Sequence, residues 1–280
     1  MKAAEIWIDV PSGRLHAQRF GPPDAPLAVF VPGITGNMRH GDFLGERIAG
    51  TDRQLVAVEL RGRGVSDVTP PGTYGWEAHA RDVLAVADVL GRPAFDWIGH
   101  SMGGFVGMTA ARLAAHRIRR MVIIDALGLP DEAALAVVRT SMGRLGTVYS
   151  SPDEFLALLQ QVGSVRPWSE YFERAYRYEL VPAEGGGVIP RTDRGAILED
   201  YEYGDRHYPG DWSMLTMPVL LVRATEDYLP GQGLIVRTED RDRFFLEHPE
   251  AELLEVAANH MGVITSEATA AAIRSFLDRR

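Results

Sequence analysis

Phe95-Asp96-Trp97-Ile98-Gly99-His100-Ser101-Met102-Gly103-Gly104-Phe105-Val106-Gly107-Met108 passes from a short apolar run, through a glycine-flanked serine, into an amphipathic stretch. Glycine two residues before and two after a serine is what a sharp strand-to-helix turn requires, because side chains there collide as the chain doubles back. Such a turn holds the serine at strained backbone angles and lifts its hydroxyl to the amino end of the following helix. There, free backbone NH groups and the helix dipole favour negative charge. Ser101 is therefore the candidate nucleophile.

On both sides of this turn the chain alternates. Runs rich in valine, isoleucine and phenylalanine at Glu5–Val10, Leu15–Phe20, Leu27–Val31, Leu55–Leu60, Phe95–Ile98 and Met121–Ile124 read as strands. The first two flank Pro11-Ser12-Gly13 and form a hairpin; the later ones are separated by helix-length amphipathic segments, among them Glu77–Leu90 and Met102–His116. That order predicts a mostly parallel sheet covered by helices on both faces. From about residue 128 to 215 the pattern becomes helical and aromatic, broken by the glycine-rich loop Pro182–Pro190. Strand-like runs return at Val219–Val222 and Leu253–Ala257, with helices near Ile235–Leu246 and Ser266–Leu277. The reading is a core of residues 1–127 and 216–280 interrupted by a helical insertion, 128–215.

With the serine turn set between strand and helix, the whole chain resembles the α/β-hydrolase superfamily. The resemblance implies an eight-stranded, mostly parallel sheet, a helical cap over the serine, and a nucleophile, acid and histidine in that chain order. A serine hydroxyl needs a histidine to take its proton and a carboxylate to orient that histidine. Of the eight histidines, His260 follows the Leu253–Ala257 run by the short loop Ala258-Asn259, where the family carries its base. His100 neighbours the serine but falls on the other side of the turn. By the same pattern the acid follows Leu220-Leu221-Val222-Arg223-Ala224-Thr225-Glu226-Asp227, with Asp227 the candidate and Glu226 the alternative. The oxyanion donors implied are the backbone NH groups of Ile34, in Val31-Pro32-Gly33-Ile34-Thr35-Gly36-Asn37, and of Met102. Pro32 departs from the family, which usually has a loop-supporting histidine before this glycine. Glu59-Leu60-Arg61-Gly62-Arg63-Gly64-Val65-Ser66-Asp67 is similar to the family's Asp-x-Arg-Gly-x-Gly-x-Ser run and reads as structural.

The insertion is rich in aromatics, including Trp168, Tyr171, Tyr176, Tyr201, Tyr208 and Trp212. Some build its own core; together they favour a substrate with an apolar or aromatic body. Trp168, Tyr171 and Tyr176, with Gly33 and Met261, are the candidate substrate contacts. Arg166, Arg174, Arg177 and Arg191 read as solvated charges. The implied activity is hydrolysis of a carboxylic ester or lactone through an acyl-enzyme, without metal or organic cofactor. A carbon–carbon bond hydrolase, a perhydrolase and a non-enzymatic ligand sensor are the alternatives.

Composition narrows the field further. No cysteine is present among the 280 residues, which excludes disulfides, thiolate metal sites and cysteine nucleophiles. A formal net charge of -9 with no basic block argues against nucleic acid, leaving a small-molecule partner and an open oligomeric state. Glu5 and Asp9 interrupt the amino-terminal stretch where a signal peptide needs an apolar run, and no segment approaches the ~18 apolar residues of a membrane span. The location expected on these grounds is the cytoplasm, with no membrane contact.

Overall fold

A computed structural model describes residues 3–279; Met1 and Lys2 of the amino-terminal stretch, and Arg280, lie outside it. Eight strands form one sheet: β1 (Ala4–Val10), β2 (Gly13–Phe20), β3 (Leu27–Val31), β4 (Gln54–Val58), β5 (Phe95–His100), β6 (Ile118–Ile124), β9 (Val219–Ala224) and β10 (Glu252–Val256). Their order is β1-β2-β4-β3-β5-β6-β9-β10. β2 runs antiparallel to both β1 and β4, and every pairing from β4 to β10 is parallel. Every residue of β3, β4, β5 and β9 is buried, as an unbroken apolar run between two helical layers demands. At the edge, β10 alternates between half-buried and exposed positions and ends on buried Val256.

Helices α2 (Trp76–Val89) and α3 (Met102–Ala114) cover one face, where Val83, Phe105, Val106 and Trp97 share a core. On the other, α1 (Asp42–Ile48) and α9 (Glu267–Asp278) bury Phe43, Ile48, Ile273 and Phe276 against Phe30 and Val122. A further helix, α8 (Thr238–Glu247), precedes β10.

The segment between β6 and β9 holds α4 (Glu132–Met142), α5 (Pro152–Val162), α6 (Glu170–Glu179) and α7 (Arg194–His207). It also holds a two-stranded hairpin, β7 (Leu180–Pro182) and β8 (Val188–Pro190), where the sequence reads only as a glycine-rich loop. Trp212 is fully buried; its indole NH donates to Leu127 O at 3.1 Å and its ring meets Phe244 edge-on, fastening the returning chain to the sheet. Among the described residues no helix is long and apolar enough to cross a membrane.

Candidate active site

Ser101 stands between β5 and α3 with φ 53° and ψ −123°. Glycine is obligatory on both sides: a Cβ on Gly99 would lie 2.2 Å from Gly103 O, and one on Gly103 would lie 2.0 Å from Val31 O. The turn is pinned by Ser101 N donating to Ile124 O at 2.9 Å and by Trp97 Nε1 donating to Gly103 O at 3.0 Å.

His260 follows β10, and Ser101 and His260 line the same small cavity with Gly33, Ile34, Tyr228 and Met261. The imidazole is held from several directions. Asn259 donates its amide to Ser164 O and Tyr228 O and accepts from Gly262 N, fixing the loop. Tyr228 packs edge-on to the ring at 4.9 Å. His100 Nε2 lies 2.9 Å from His260 O, so His100 braces the backbone of the histidine from beneath. Burial and the adjacent His260 drive the pKa of His100 well below its ordinary value, leaving it neutral and able to donate that hydrogen bond.

The carboxylate on His260 is Asp125. Its Oδ2 lies 2.8 Å from His260 Nδ1, and both side chains are buried. This corrects the assignment of Asp227. That residue turns into its own loop, where Oδ2 accepts from Gly231 N at 2.8 Å and its carbonyl accepts from Arg166. Glu226 is exposed, with its backbone NH on Ala258 O. Asp125 immediately follows β6, at φ 48°; its NH donates to Val222 O, and Oδ1 accepts from Ala224 N at 3.1 Å. The signal in sequence was an aspartate directly after the buried run Met121–Ile124, one strand earlier than the family pattern implies.

The oxyanion candidates meet Ser101 in a second small cavity lined by Ile34, Met102, Trp76, Phe105 and Tyr208. Among the described hydrogen bonds, neither the Ile34 nor the Met102 backbone NH has a protein acceptor.

A larger cavity of about 670 Å³ shares Thr35, Ser141, Tyr228 and Met261 with the one holding Ser101 and His260. Leu158, Leu159, Phe155 and Tyr149 supply apolar walls, and Arg144 is the one formally charged side chain in its lining. Of the five expected substrate contacts, Gly33, Tyr176 and Met261 line these cavities, whereas Trp168 and Tyr171 do not. Trp168 stacks behind Tyr176 with centroids 6.0 Å apart, and Tyr171 is held on α1 by Phe43, Glu46 and Arg47. Among the described residues, no cluster of three or more histidine, aspartate or glutamate side chains could hold a metal ion.

A mostly parallel sheet with a strained serine after a central strand, and a histidine–aspartate pair at the same carboxyl edge, defines the hydrolase class of α/β proteins. The chain belongs to the alpha/beta hydrolase fold family, matched over residues 26–265. It is 36% identical over 112 residues to N-formylmaleamate deformylase of Pseudomonas putida, 40% of this chain and 41% of that one. The chain spans about two fifths of the length of the first curated relatives it matches. A longer match, to 2-(acetamidomethylene)succinate hydrolase of Mesorhizobium japonicum, is 24% identical and covers 97% of this chain and 94% of the relative. In fold it is similar to a crystal structure of E-2-(acetamidomethylene)succinate hydrolase, with TM-score 0.85, 23% identity and coverage of 99% and 100%. It is also similar to the enol-lactonase of Burkholderia xenovorans LB400, with TM-score 0.75, 20% identity and coverage of 98% and 100%.

Proposed function

We propose that this chain is a serine hydrolase of small carbonyl compounds, with Ser101 as nucleophile, His260 as base and Asp125 as the acid that orients it. The observation that carries the reading is the buried 2.8 Å contact between His260 Nδ1 and Asp125 Oδ2, made by a histidine that lines one cavity with Ser101. Asp125 holds the Nδ1–H tautomer and leaves Nε2 free to accept the serine proton. Ser101 then attacks the carbonyl, and the oxyanion rests on the NH groups of Ile34 and Met102. Collapse of the adduct breaks the acyl bond, and the leaving group takes the proton from His260. Water, deprotonated by the same histidine, releases the acid product. The helical insertion acts as a cap: Val138, Ser141 and Tyr201 reach the cavities around the serine.

The two sides of Ser101 suit different parts of the substrate. The leaving group must face His260, whose cavity shares Thr35, Ser141, Tyr228 and Met261 with the 670 Å³ cavity. The acyl group takes the opposite, Met102 side, whose cavity of about 40 Å³ suits a group of formyl to acetyl size; a single water needs roughly 10–15 Å³ of such space. Arg144 gives the leaving-group cavity a positive charge. Its carboxylate partner Glu179, at 3.0 Å, is completely buried, which pushes that carboxyl's pKa upward despite the arginine, and Glu179 also feels Arg191. With Arg144 and Arg191 both acting on the single carboxylate of Glu179, cations outnumber anions in this group, which suits a substrate carboxylate. The bond cleaved is that of an ester or lactone, as the sequence implies. The acyl–nitrogen bond of an amide-like compound is a second reading, favoured by this pairing of a small acyl slot with a cationic cavity. The names of two relatives, N-formylmaleamate deformylase and 2-(acetamidomethylene)succinate hydrolase, support it.

A substrate series tests this. Acetyl esters and N-acetyl enamides, each with and without a carboxylate on the leaving portion, are compared by kcat/KM. The carboxylate form is expected to be preferred about 10- to 100-fold, and Arg144→Gln to erase the preference. Equal rates for both forms in the wild type would remove Arg144 from substrate recognition. Absence of turnover and of fluorophosphonate labelling at Ser101 would remove the hydrolase reading itself.

A further inference from the structure

We infer that Arg63, itself held by Asp200 of the insertion, positions the oxyanion loop, doing so where this chain carries Pro32. Arg63 has no solvent exposure. Its Nε and Nη2 donate to Ile34 O at 3.1 and 2.9 Å, and Nη1 donates to Arg61 O. Asp200 on α7 meets Arg63 Nη2 at 2.5 Å, lies 2.8 Å from His79 Nε2, and accepts from Gly75 N at 2.6 Å. Burial alone would raise the carboxyl pKa of Asp200. Its contacts with His79 and Arg63 outweigh burial and hold the group far below the ordinary carboxylate range, so it stays ionised.

The two peptides flanking Ile34 are thereby anchored separately. In the planar peptide between Gly33 and Ile34, carbonyl and NH point in opposite directions. Gly33 O accepts from Gly36 N at 2.9 Å, which aims the Ile34 NH the other way. Arg63 fixes the next carbonyl, that of Ile34, so the loop cannot roll about its own axis. Pro32 has no side-chain donor for this purpose. Arg63 occupies a variable position of the Glu59–Asp67 run, whereas the arginine matching the family pattern, Arg61, pairs with Asp82 at a distance from the loop. Because Asp200 sits on α7, beside Tyr201 of the Ser101 cavity, a displaced insertion would also loosen the oxyanion loop.

The catalytic part of this inference rests on the proposed hydrolase reading; the clamp itself is testable without turnover. Arg63→Lys keeps a charge for Asp200 and loses the two-pronged reach to Ile34, and Asp200→Asn keeps the shape and releases the arginine. Hydrogen–deuterium exchange across residues 33–36 is expected to quicken at least ~10-fold in both variants. Per fluorophosphonate-titrated site, kcat on p-nitrophenyl acetate and affinity for phenylboronic acid, which adds to serine as a tetrahedral anion, are expected to fall together by roughly 10- to 100-fold, with KM little changed. If Arg63→Lys does not fold, Asp200→Asn carries the test. Unaltered exchange overturns the clamp. Faster exchange with unchanged kcat and boronate affinity overturns its catalytic role. A wild type inert to ester and probe leaves exchange to decide the clamp, and counts against the hydrolase reading and with it the catalytic part.

Discussion

Among the described residues only two non-glycine positions have positive φ, Ser101 at 53° and Asp125 at 48°. Such angles cost about 1–3 kcal/mol each and persist where the surroundings dictate them. Here both fall on the proposed triad. The serine was legible because its strain leaves a glycine signature on either side; the aspartate was not, because its strain is met by hydrogen bonds from a neighbouring strand that sequence does not reveal. His40, by contrast, is a buried histidine fixed by its own backbone turn, its Nδ1 accepting from Asn37 N with Phe172 and Tyr176 packed edge-on against its ring. Burial, with Arg144 nearby, lowers its pKa from 6.5 to about 4. The unfolded chain therefore binds more protons between these values, and the His40 contribution is intact above pH 6.5 and lost as pH falls toward 4. His100 acts in the same direction. Asp42, raised by burial to about 6, acts oppositely, gaining stability as pH falls through that range. Removing one group at a time separates them. In His40→Gln the loss of stability between pH 6.5 and 4 should shrink by on the order of 3 kcal/mol in urea titrations. An unchanged loss would show that His40 is not held neutral.

At the level of elements, the eight strands of the main sheet were legible in chain order because central strands buried on both faces appear as plain apolar runs. Boundaries moved where local turns decide them: α8 begins at Thr238 rather than near Ile235, after a loop in which Gly231 and Gly233 take positive φ. The β7–β8 hairpin escaped notice because each strand has three residues and ends in proline. Helix α5 has a clear frame, with Ser151 accepting Glu154 N, Pro152 at its first turn and Gly163 left-handed at its end. Ser151→Ala should cost about 1 kcal/mol in thermal or urea unfolding and leave kcat within twofold. Gly103→Ala should instead abolish labelling of Ser101, since its Cβ cannot coexist with Val31 O. A labelled, active Gly103→Ala enzyme would contradict the account of the turn.

Across the whole molecule, Ile34, Ser101, Asp125 and His260 follow β3, β5, β6 and β10, all at the carboxyl ends of the parallel strands of one sheet. The topology explains how the proposed acid can lie away from the expected position without disturbing the rest. β6 and β9 are parallel neighbours, roughly 4.8 Å apart, so a carboxylate after either could approach a histidine at this edge. Which one does so depends on the loops. The loop after β9 folds Asp227 onto Gly231, while Asp125 reaches across to accept Ala224 N and meet His260. The most direct measurement compares the second-order rate of fluorophosphonate labelling of Ser101 in wild type, Asp125→Asn and Asp227→Asn, alongside kcat for a turned-over ester. The account predicts a loss of about 10⁴-fold in kcat and a comparable slowing of labelling for Asp125→Asn, with Asp227→Asn within a few-fold of wild type. A folded Asp125→Asn protein that labels normally, or an Asp227→Asn protein that does not, would contradict it.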